Sequence, residues 1–305
     1  MRHQPGDPCY TELPLQALDA ARVEAVWRYA PLRAGRQLVL PDGRMDLVVH
    51  CAVRPDGNVA AVWPVLAGPA DQPTWAALRP GSVVLGVRFR IGWGGACLGV
   101  APRGLCNRVL AGDAVLGLLQ PLGALADDLM NATTLAAAHG ALCSIAGALA
   151  ACVEPTAAHG RALAALAQLQ VRLQVGASRH AAGPPVAAVA ESWAGGGDAA
   201  SRRLRRDIAS AVGLPLRTLA GILRFQQALA SLEAGAALSI TEVALACGYA
   251  DQAHMTREFR RFGGFTPALP QAAPVVRWAP EPARSLPLSE TFKTRTAVGR
   301  QTARH

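Results

Sequence analysis

The sequence predicts an α+β fold, with a strand-rich N-terminal region, a helical middle segment and an all-α C-terminal domain. Residues 10–110 contain short Val- and Leu-rich runs separated by Pro-Asp-Gly turns, a pattern typical of strands. From Ala114 to Gln174 the chain is rich in Ala and Leu at helical spacing, and residues 186–269 follow helical spacing throughout. A length of 305 residues, of which 51% are hydrophobic, suffices for about two packed domains.

The N-terminal region, residues 1–112, is predicted to form a strand-rich sensing domain. Most of its predicted strands lie beside turns. They are Gln37–Leu40 and Met45–His50 on either side of the turn at Pro41, Val59–Val65, and Gly81–Phe89. A further run, Glu24–Tyr29, fits either a short helix or a strand.

The middle segment, residues 113–176, is predicted to be helical. Leu129–Val153 lacks Asp, Glu, Lys and Arg. Its Ala, Gly and polar residues nevertheless favour a buried helix pair over a membrane span. Ala157–Val175 fits either a dimerising helix or a linker helix that packs on its own domain.

The C-terminal third carries the excess positive charge of the chain. Residues 201–305 hold 15 basic and 7 acidic residues, whereas residues 1–200 hold 15 and 14, within a net charge of +9. This distribution predicts an anionic partner, such as nucleic acid, for the last third. A linker at Gly176–Pro185 leads into an all-helical domain over residues 186–270, and the Pro-rich segment 271–305 is predicted to be a disordered tail.

The cysteine pattern argues against metal sites and disulfides. The seven cysteines are scattered without Cys-x-x-Cys or paired Cys/His spacing, so no structural zinc is expected. Their odd number suits a reducing cytoplasm, and the N-terminus shows no apolar signal-peptide core. The sequence also lacks glycine-rich phosphate loops and a nucleophile elbow, so neither a cofactor nor an enzymatic activity is expected.

The segment Ser239–Leu269 has the pattern of two short helices joined by a tight turn. Ser239 and Glu242 match a capping box at the start of the first helix. Ala244 lies four residues before Gly248, a spacing that suits closely crossing helices and a glycine that ends the first helix in a left-handed turn. This pattern predicts a helix-turn-helix unit.

The second helix of this unit, Asp251–Phe262, has one apolar and one polar face. Its apolar residues lie within about 60° of one another on a helical wheel. Its other face carries arginines, and its first turn carries polar residues, the composition of a helix that enters a DNA major groove. The predicted core of the unit consists of Ile240, Ala244, Gly248, Tyr249, Met255 and Phe259.

Residues 240–267 resemble the second helix-turn-helix of the arabinose-regulator (AraC/XylS) family of bacterial transcription factors. The shared pattern includes Ala244, Gly248, Tyr249, Asp251, Met255, Arg257, Phe259, Arg260, Arg261, Thr266 and Pro267. Leu214–Gly235 resembles the helix that joins the two units of the family, with Arg224 and Phe225 at its arginine-rich motif. The resemblance implies a cytoplasmic, non-enzymatic regulator that reads double-stranded DNA in a sequence-specific way and works with RNA polymerase.

The resemblance also implies roles for residues on both recognition helices. The base-reading side chains would be Gln252, Ala253, His254 and Arg257, together with Arg202 and Arg206 of the first unit. Phosphate contacts would come from Thr256, Arg260, Arg261, Arg203 and Arg205.

The first unit departs from the family pattern. Ser201–Ile208 resembles the start of the first recognition helix, but the usual supporting helix does not immediately precede it. Either that helix has been lost, or Val186–Ala194 supplies it through a lengthened glycine turn. Base reading is therefore expected mainly from the second unit.

The N-terminal region resembles the β-rich domain of a subset of the same regulators. The similar residues are Leu40–Val49, Gly86–Arg90 and Gly92–Val100. The resemblance implies a role in sensing a small-molecule effector or in forming a homodimer, without naming a ligand. Arg88 and Arg90 share one face of a predicted strand, where they either hold an anionic effector or face solvent.

Two alternative functions follow from the same residues. A degenerate regulator would act by protein contacts and bind DNA only non-specifically, with a dissociation constant of about 10⁻⁴–10⁻⁶ M. A DNA-repair alkyl-transferase carries a similar helix-turn-helix beside a zinc-held thiolate. The scattered cysteines argue against this enzyme.

Overall fold

The computed structural model describes residues 9–15, 18–31, 35–78, 81–178, 199–234, 238–268 and 278–279. Their strands are β1 Tyr10–Leu13, β2 Val23–Tyr29, β3 Gly35–Val39, β4 Asp46–Val53, β5 Val59–Ala67, β6 Thr74–Leu78, β7 Ser82–Phe89, β8 Val109–Ala111 and β9 Trp278–Ala279. Their α-helices are α1 Gly94–Leu98, α2 Asp113–Leu119, α3 Ala124–Met130, α4 Leu135–Ala151, α5 Ala157–Ser178, α6 Ala199–Val212, α7 Leu216–Glu233, α8 Ile240–Ala246 and α9 Gln252–Gly263.

The α+β fold class predicted from the sequence is confirmed. Strands dominate the N-terminal region, and the C-terminal region where the family-specific pattern lies is helical. Glu24–Tyr29, which fitted a helix or a strand, belongs to β2. The joining helix expected within Leu214–Gly235 is α7, which begins after its N-cap Pro215 and ends at Glu233 with Ala234 as its C-cap.

The larger sheet is antiparallel, with six strands in the order β1-β2-β7-β4-β5-β8. Because side chains alternate along a strand, each central strand supplies residues to both faces. On β7, Leu85, Val87 and Phe89 join the core covered by helices α1–α4, whereas Val84 packs with Trp27 on the opposite face. The middle segment through α4 therefore belongs to the N-terminal core.

Helix α5 packs with the C-terminal helices rather than with the sheet. Ala162, Ala165, Leu166 and Leu169 are buried in the same cluster as the apolar residues of α6–α9. The apolar face of α5 is thus occupied within the chain up to Leu169, the last of these residues. This arrangement favours the linker interpretation of Ala157–Val175 over the dimerising one.

The N-terminal domain contacts the C-terminal helices through the turn that follows β3. Leu40 and Ile91 lie within the C-terminal hydrophobic cluster. The side-chain amide of Gln226 on α7 donates a hydrogen bond to the carbonyl of Pro41 at 2.7 Å. The two domains therefore share part of one core.

A smaller sheet of three strands, in the order β6-β3-β9, lies in the N-terminal domain. Its strand β9 comes from the segment 271–305, which was predicted to be a disordered tail. That prediction is wrong for Trp278–Ala279, because their backbone pairs antiparallel with Arg36 and Gln37 of β3. The rest of that segment lies outside the described residues, as do residues 179–198, which hold the candidate supporting helix Val186–Ala194.

Candidate nucleic-acid interface

The first helix of the second unit, α8, begins and ends through local signals. The Ser239 side chain accepts a hydrogen bond from the backbone N–H of Glu242 at 3.2 Å, and the backbone N–H of Ser239 donates to the Glu242 carboxylate at 2.7 Å. This is the predicted capping box. Gly248 follows the helix with a φ of 79°, a conformation that side chains disfavour. The chain can therefore turn sharply towards the next helix.

The second helix, α9, is capped at both ends. The Asp251 carboxylate accepts a hydrogen bond from the backbone N–H of His254 at 2.6 Å, and Gly264 ends the helix in the left-handed conformation. Met255, Phe259 and Phe262 are buried, as the helical wheel predicted. The opposite face of α9 consequently points away from the core.

That outward face carries most of the predicted DNA-contacting residues of the second unit. The exposed positions are Gln252, Ala253, Arg257, Arg260 and Arg261. Among the described residues, no side chain pairs with Arg257 or Arg260, so both guanidinium groups are available to a ligand. Their planar forks suit bidentate contacts to guanine or phosphate.

Three of the predicted contact residues of α9, including the exposed Gln252, already have contacts within the chain. Gln252 accepts a hydrogen bond from the Thr241 hydroxyl at 3.0 Å, and the Thr256 hydroxyl donates to the Gln252 carbonyl at 2.8 Å. His254 is half-buried, with its ring edge-on to Tyr249 and its Nε2 atom 3.8 Å from the Glu258 carboxylate. These contacts orient the first turn of α9.

An ion pair that no sequence pattern predicted joins α9 to α7. The Arg224 guanidinium on α7 donates to both carboxylate oxygens of Glu258 on α9, at 2.8 and 3.2 Å. The same guanidinium lies over the Tyr249 ring, 4.8 Å from its centroid. Arg224 was placed only by its position in the family motif. Its partner Glu258 lies 34 positions away, beyond any local sequence signal.

The predicted first recognition helix, α6, presents arginines beside an apolar face. Arg202, Arg203 and Arg206 are exposed and Arg205 is half-buried, whereas Ile208 and Val212 are buried. The structure therefore separates the charged and apolar residues of α6.

Two contacts fix the far end of α6. Arg161 on α5 forms an ion pair with Asp207 at 2.9 Å. Gly213 follows α6 with a φ of 83°, and a Cβ atom there would lie 2.7 Å from the backbone of Pro102 in the N-terminal domain. Helix α5 and the N-terminal domain thus brace the C-terminal half of α6.

The predicted effector-binding arginines differ in their surroundings. Arg88 is only 2% exposed, and its Nε atom lies 3.3 Å from the Asp46 carboxylate. Burial opposes the charge on Arg88, but Asp46 and other neighbouring acidic groups outweigh it and raise the pKa of the guanidinium. Arg90 is half-buried and donates to the carbonyl of Ala20 at 2.5 Å. Arg88 already has an anionic partner within the chain.

The buried cysteines do not have the environment of nucleophiles. Burial raises the pKa of the Cys51, Cys97 and Cys247 thiols to about 11, which keeps them protonated at neutral pH. Among the residues that the structure describes, no group of three or more His, Cys, Asp and Glu side chains is placed to hold a metal ion.

A helix-turn-helix domain family model matches residues 198–269. These residues form an AraC-type helix-turn-helix domain. The AraC-type domain spans α6–α9, so the match includes both helices that were predicted to be recognition helices. It confirms the family resemblance of this region and identifies the chain as a DNA-binding transcription regulator in its general class.

Comparison of the whole chain with solved structures returned weak likenesses. The structure of an apo variant of ToxT from Vibrio cholerae strain SCE256 has 12% identity and a TM-score of 0.35, covering 82% of this chain and 97% of that chain. ToxT from Vibrio cholerae O395 has 10% identity and a TM-score of 0.33, covering 80% of this chain and 94% of that chain. Curated proteins gave no match.

No single helix in the described part of the chain is long and apolar enough to cross a membrane. The bent pair α6 and α7, at 62°, meets the length and composition criteria only when taken together.

Proposed function

We propose that this chain is a sequence-specific transcription regulator that reads major-groove bases mainly with α9. The observation that carries the proposal is the outward face of α9, where Arg257 and Arg260 are exposed and unpaired among the described residues. The buried face of the same helix is held by aromatic packing, including an edge-on contact between Phe225 and Phe259 at 4.9 Å. A helix held rigidly on one side can present side chains to bases in a defined geometry.

The arginines of α6 are proposed to add mainly phosphate contacts. Arg203 is exposed without a side-chain partner among the described residues, and Arg205 is half-buried. Phosphate contacts depend on charge more than on exact aim, so they tolerate a first unit whose sequence departs from the family pattern. Arg202 and Arg206 are kept as candidates for base contacts by the first unit.

The regulator is further proposed to act in the cytoplasm with RNA polymerase and to respond to a small-molecule effector. The shared core between the N-terminal domain and α7, including the hydrogen bond from Gln226 to Pro41, supports a coupling between effector and DNA sites. A homodimer remains part of the proposal, with a contact surface other than the buried face of α5.

Arg257→Ala is expected to weaken binding to the selected site by about 1–3 kcal/mol, because a bidentate contact to a base is lost. The site is first selected from genomic DNA fragments by the purified chain at physiological salt. Affinities for that site and for a scrambled duplex are then measured by fluorescence anisotropy. Arg54→Ala, which removes an exposed arginine from a turn of the N-terminal domain, serves as the charge-matched control. Equal affinities of Arg257→Ala and wild type for the selected site would refute this placement of the reading helix.

Arg260→Ala is expected to weaken binding to the selected and scrambled duplexes alike, because phosphate contacts carry no sequence information. The slope of log affinity against log salt should fall in magnitude by about one. Anisotropy titrations across a series of salt concentrations measure this slope. A loss confined to the selected site would instead make Arg260 a base-reading residue.

Selection without any enriched motif would contradict sequence-specific reading. Non-specific affinity of about 10⁻⁴–10⁻⁶ M in the same titration would then support the degenerate regulator that acts by protein contacts.

A further inference from the structure

The C-terminal end of α9 contacts a loop of the N-terminal domain. This loop, residues 68–73, connects β5 to β6. The Nη2 atom of Arg261 lies 3.7 Å from the Oδ2 atom of Asp71 in the loop. Just beyond the helix, a Cβ atom at Gly264 would lie 3.7 Å from the Cγ atom of Pro73. The loop therefore touches both the last turn of α9 and the residue that ends it.

The Asp71 carboxylate is held in place by a second residue of the N-terminal domain. The Asn107 side chain donates to Asp71 Oδ1 at 2.7 Å and accepts from the backbone N–H of Asp71 at 2.9 Å. The backbone N–H of Asn107 in turn donates to the carbonyl of Pro69 at 2.8 Å. One oxygen of Asp71 is thus committed within its own domain, while the other faces Arg261.

The chain leaving α9 returns to the same part of the N-terminal domain. Strand β9 follows α9 in sequence and pairs with β3, which also pairs with β6. On one side of the smaller sheet, the loop before β6 therefore lies beside the end of the second helix-turn-helix unit. On the other side, β9, which follows that unit in sequence, pairs with β3.

If Arg261 contacts a DNA phosphate, as the family resemblance implies, Asp71 would compete with that phosphate for the same guanidinium. Arg261 has 55% of its side chain exposed, so a phosphate can reach it while Asp71 lies beside it. A carboxylate and a phosphate both accept hydrogen bonds from an arginine fork, and two anions sharing one cation repel each other. DNA must therefore displace Asp71 from Arg261 or bear its repulsion.

We infer that the loop carrying Asp71 is an autoinhibitory contact that lowers the affinity of the second recognition helix for DNA. This inference rests on the proposed function, because it assigns a regulation to the same DNA-binding face. A signal that withdraws the loop from α9 would raise DNA affinity without changing any residue that touches a base.

The test compares DNA binding by full-length wild type and Asp71→Asn. The asparagine retains the hydrogen bonds with Asn107 and removes only the charge. Because an exposed ion pair of this kind contributes modestly, we expect up to about fivefold tighter binding at low salt, fading as salt rises. Asp56→Asn is the matched control. Asp56 is an exposed acidic residue in a turn of the same domain, so this substitution removes the same charge at a site away from Arg261.

A second arm repeats the comparison in an Arg261→Ala background. If Asp71 acts through Arg261, Asp71→Asn produces no gain once the arginine is absent. An equal gain in both backgrounds, or a gain no larger than that of Asp56→Asn, overturns the inference. Failure of the wild-type chain to bind any duplex would overturn the proposed function itself, whereas normal wild-type binding without a gain in Asp71→Asn overturns the autoinhibitory contact alone.

Discussion

Phe259→Ala is expected to lower the free energy of unfolding of the C-terminal core by about 3–5 kcal/mol, the range for truncating a fully buried phenylalanine. The Phe259 ring is 0% exposed. It packs edge-on against Phe225 of α7 at 4.9 Å and against Phe265 beyond α9 at 6.0 Å. Removing the ring leaves a cavity where α7 and α9 meet. The loss of unfolding free energy therefore includes both the lost apolar burial and the lost aromatic contacts. Urea denaturation followed by far-UV circular dichroism measures the change.

Arg260→Ala is the matched control for this measurement. Arg260 follows Phe259 in sequence and lies on the exposed face of α9. The free energy of unfolding of Arg260→Ala should therefore stay within about 0.5 kcal/mol of the wild-type value. A loss below about 1 kcal/mol for Phe259→Ala would contradict the packing of α9 on α7.

Arg224→Met is expected to destabilise the protein by about 3 kcal/mol, because it leaves the Glu258 carboxylate without its partner in a mostly buried position. The Arg224 and Glu258 side chains are 7% and 17% exposed, respectively. Methionine preserves much of the arginine stem, so the loss reports chiefly the unpaired charge and the missing contact with the Tyr249 ring. Chemical denaturation of the purified variant gives the magnitude. Arg217→Met, an exposed arginine on the same helix, should have little effect.

The double variant Arg224→Met/Glu258→Met separates the ion pair from simple packing. Replacing both members of a buried pair with apolar residues of similar volume is often neutral, because neither charge is left unpaired. We therefore expect the double variant to regain most of the stability lost by Arg224→Met. If the two losses add instead, the two side chains do not interact energetically.

DNA binding by the same variants tests whether the ion pair orients α9. Glu258 lies on the recognition helix, so its pairing with Arg224 constrains rotation of that helix on α7. A double variant with wild-type stability but weaker discrimination between the selected and scrambled duplexes would assign the pair to positioning. Unchanged discrimination would confine its role to stability.

Much of the second helix-turn-helix unit was predictable because its signals are local. The capping box at Ser239, the glycine turn at Gly248 and the cap at Asp251 each act within a few residues, and all three are present in the structure. The apolar spacing of α9 likewise identified its buried face, since helical periodicity depends only on the order of residues. The assignment of individual bases and phosphates to its side chains stays a prediction.

The surroundings of the charged residues could not be predicted in the same way. Arg88 alternates with Arg90 along the sequence as a solvent-facing pair would, yet Arg88 is buried against Asp46 because helices or aromatic residues cover both sheet faces. Composition predicted disorder throughout segment 271–305, but two of its residues complete a sheet whose partner strand begins more than two hundred positions earlier. The residue composition of a segment does not indicate whether it pairs with a strand far away in the sequence.

The sequence by itself determined where the helices of the second unit begin and end, which of their faces are apolar, and that the last third is basic. The helix ends and apolar faces depend on residues that are close in sequence, and the charge depends only on the numbers of basic and acidic residues. Only the tertiary structure decided that Arg224 meets Glu258, that α5 packs on the C-terminal core, and that Asp71 lies beside Arg261. Each of these contacts joins segments far apart in the chain, and its existence depends on how whole elements pack rather than on any local pattern.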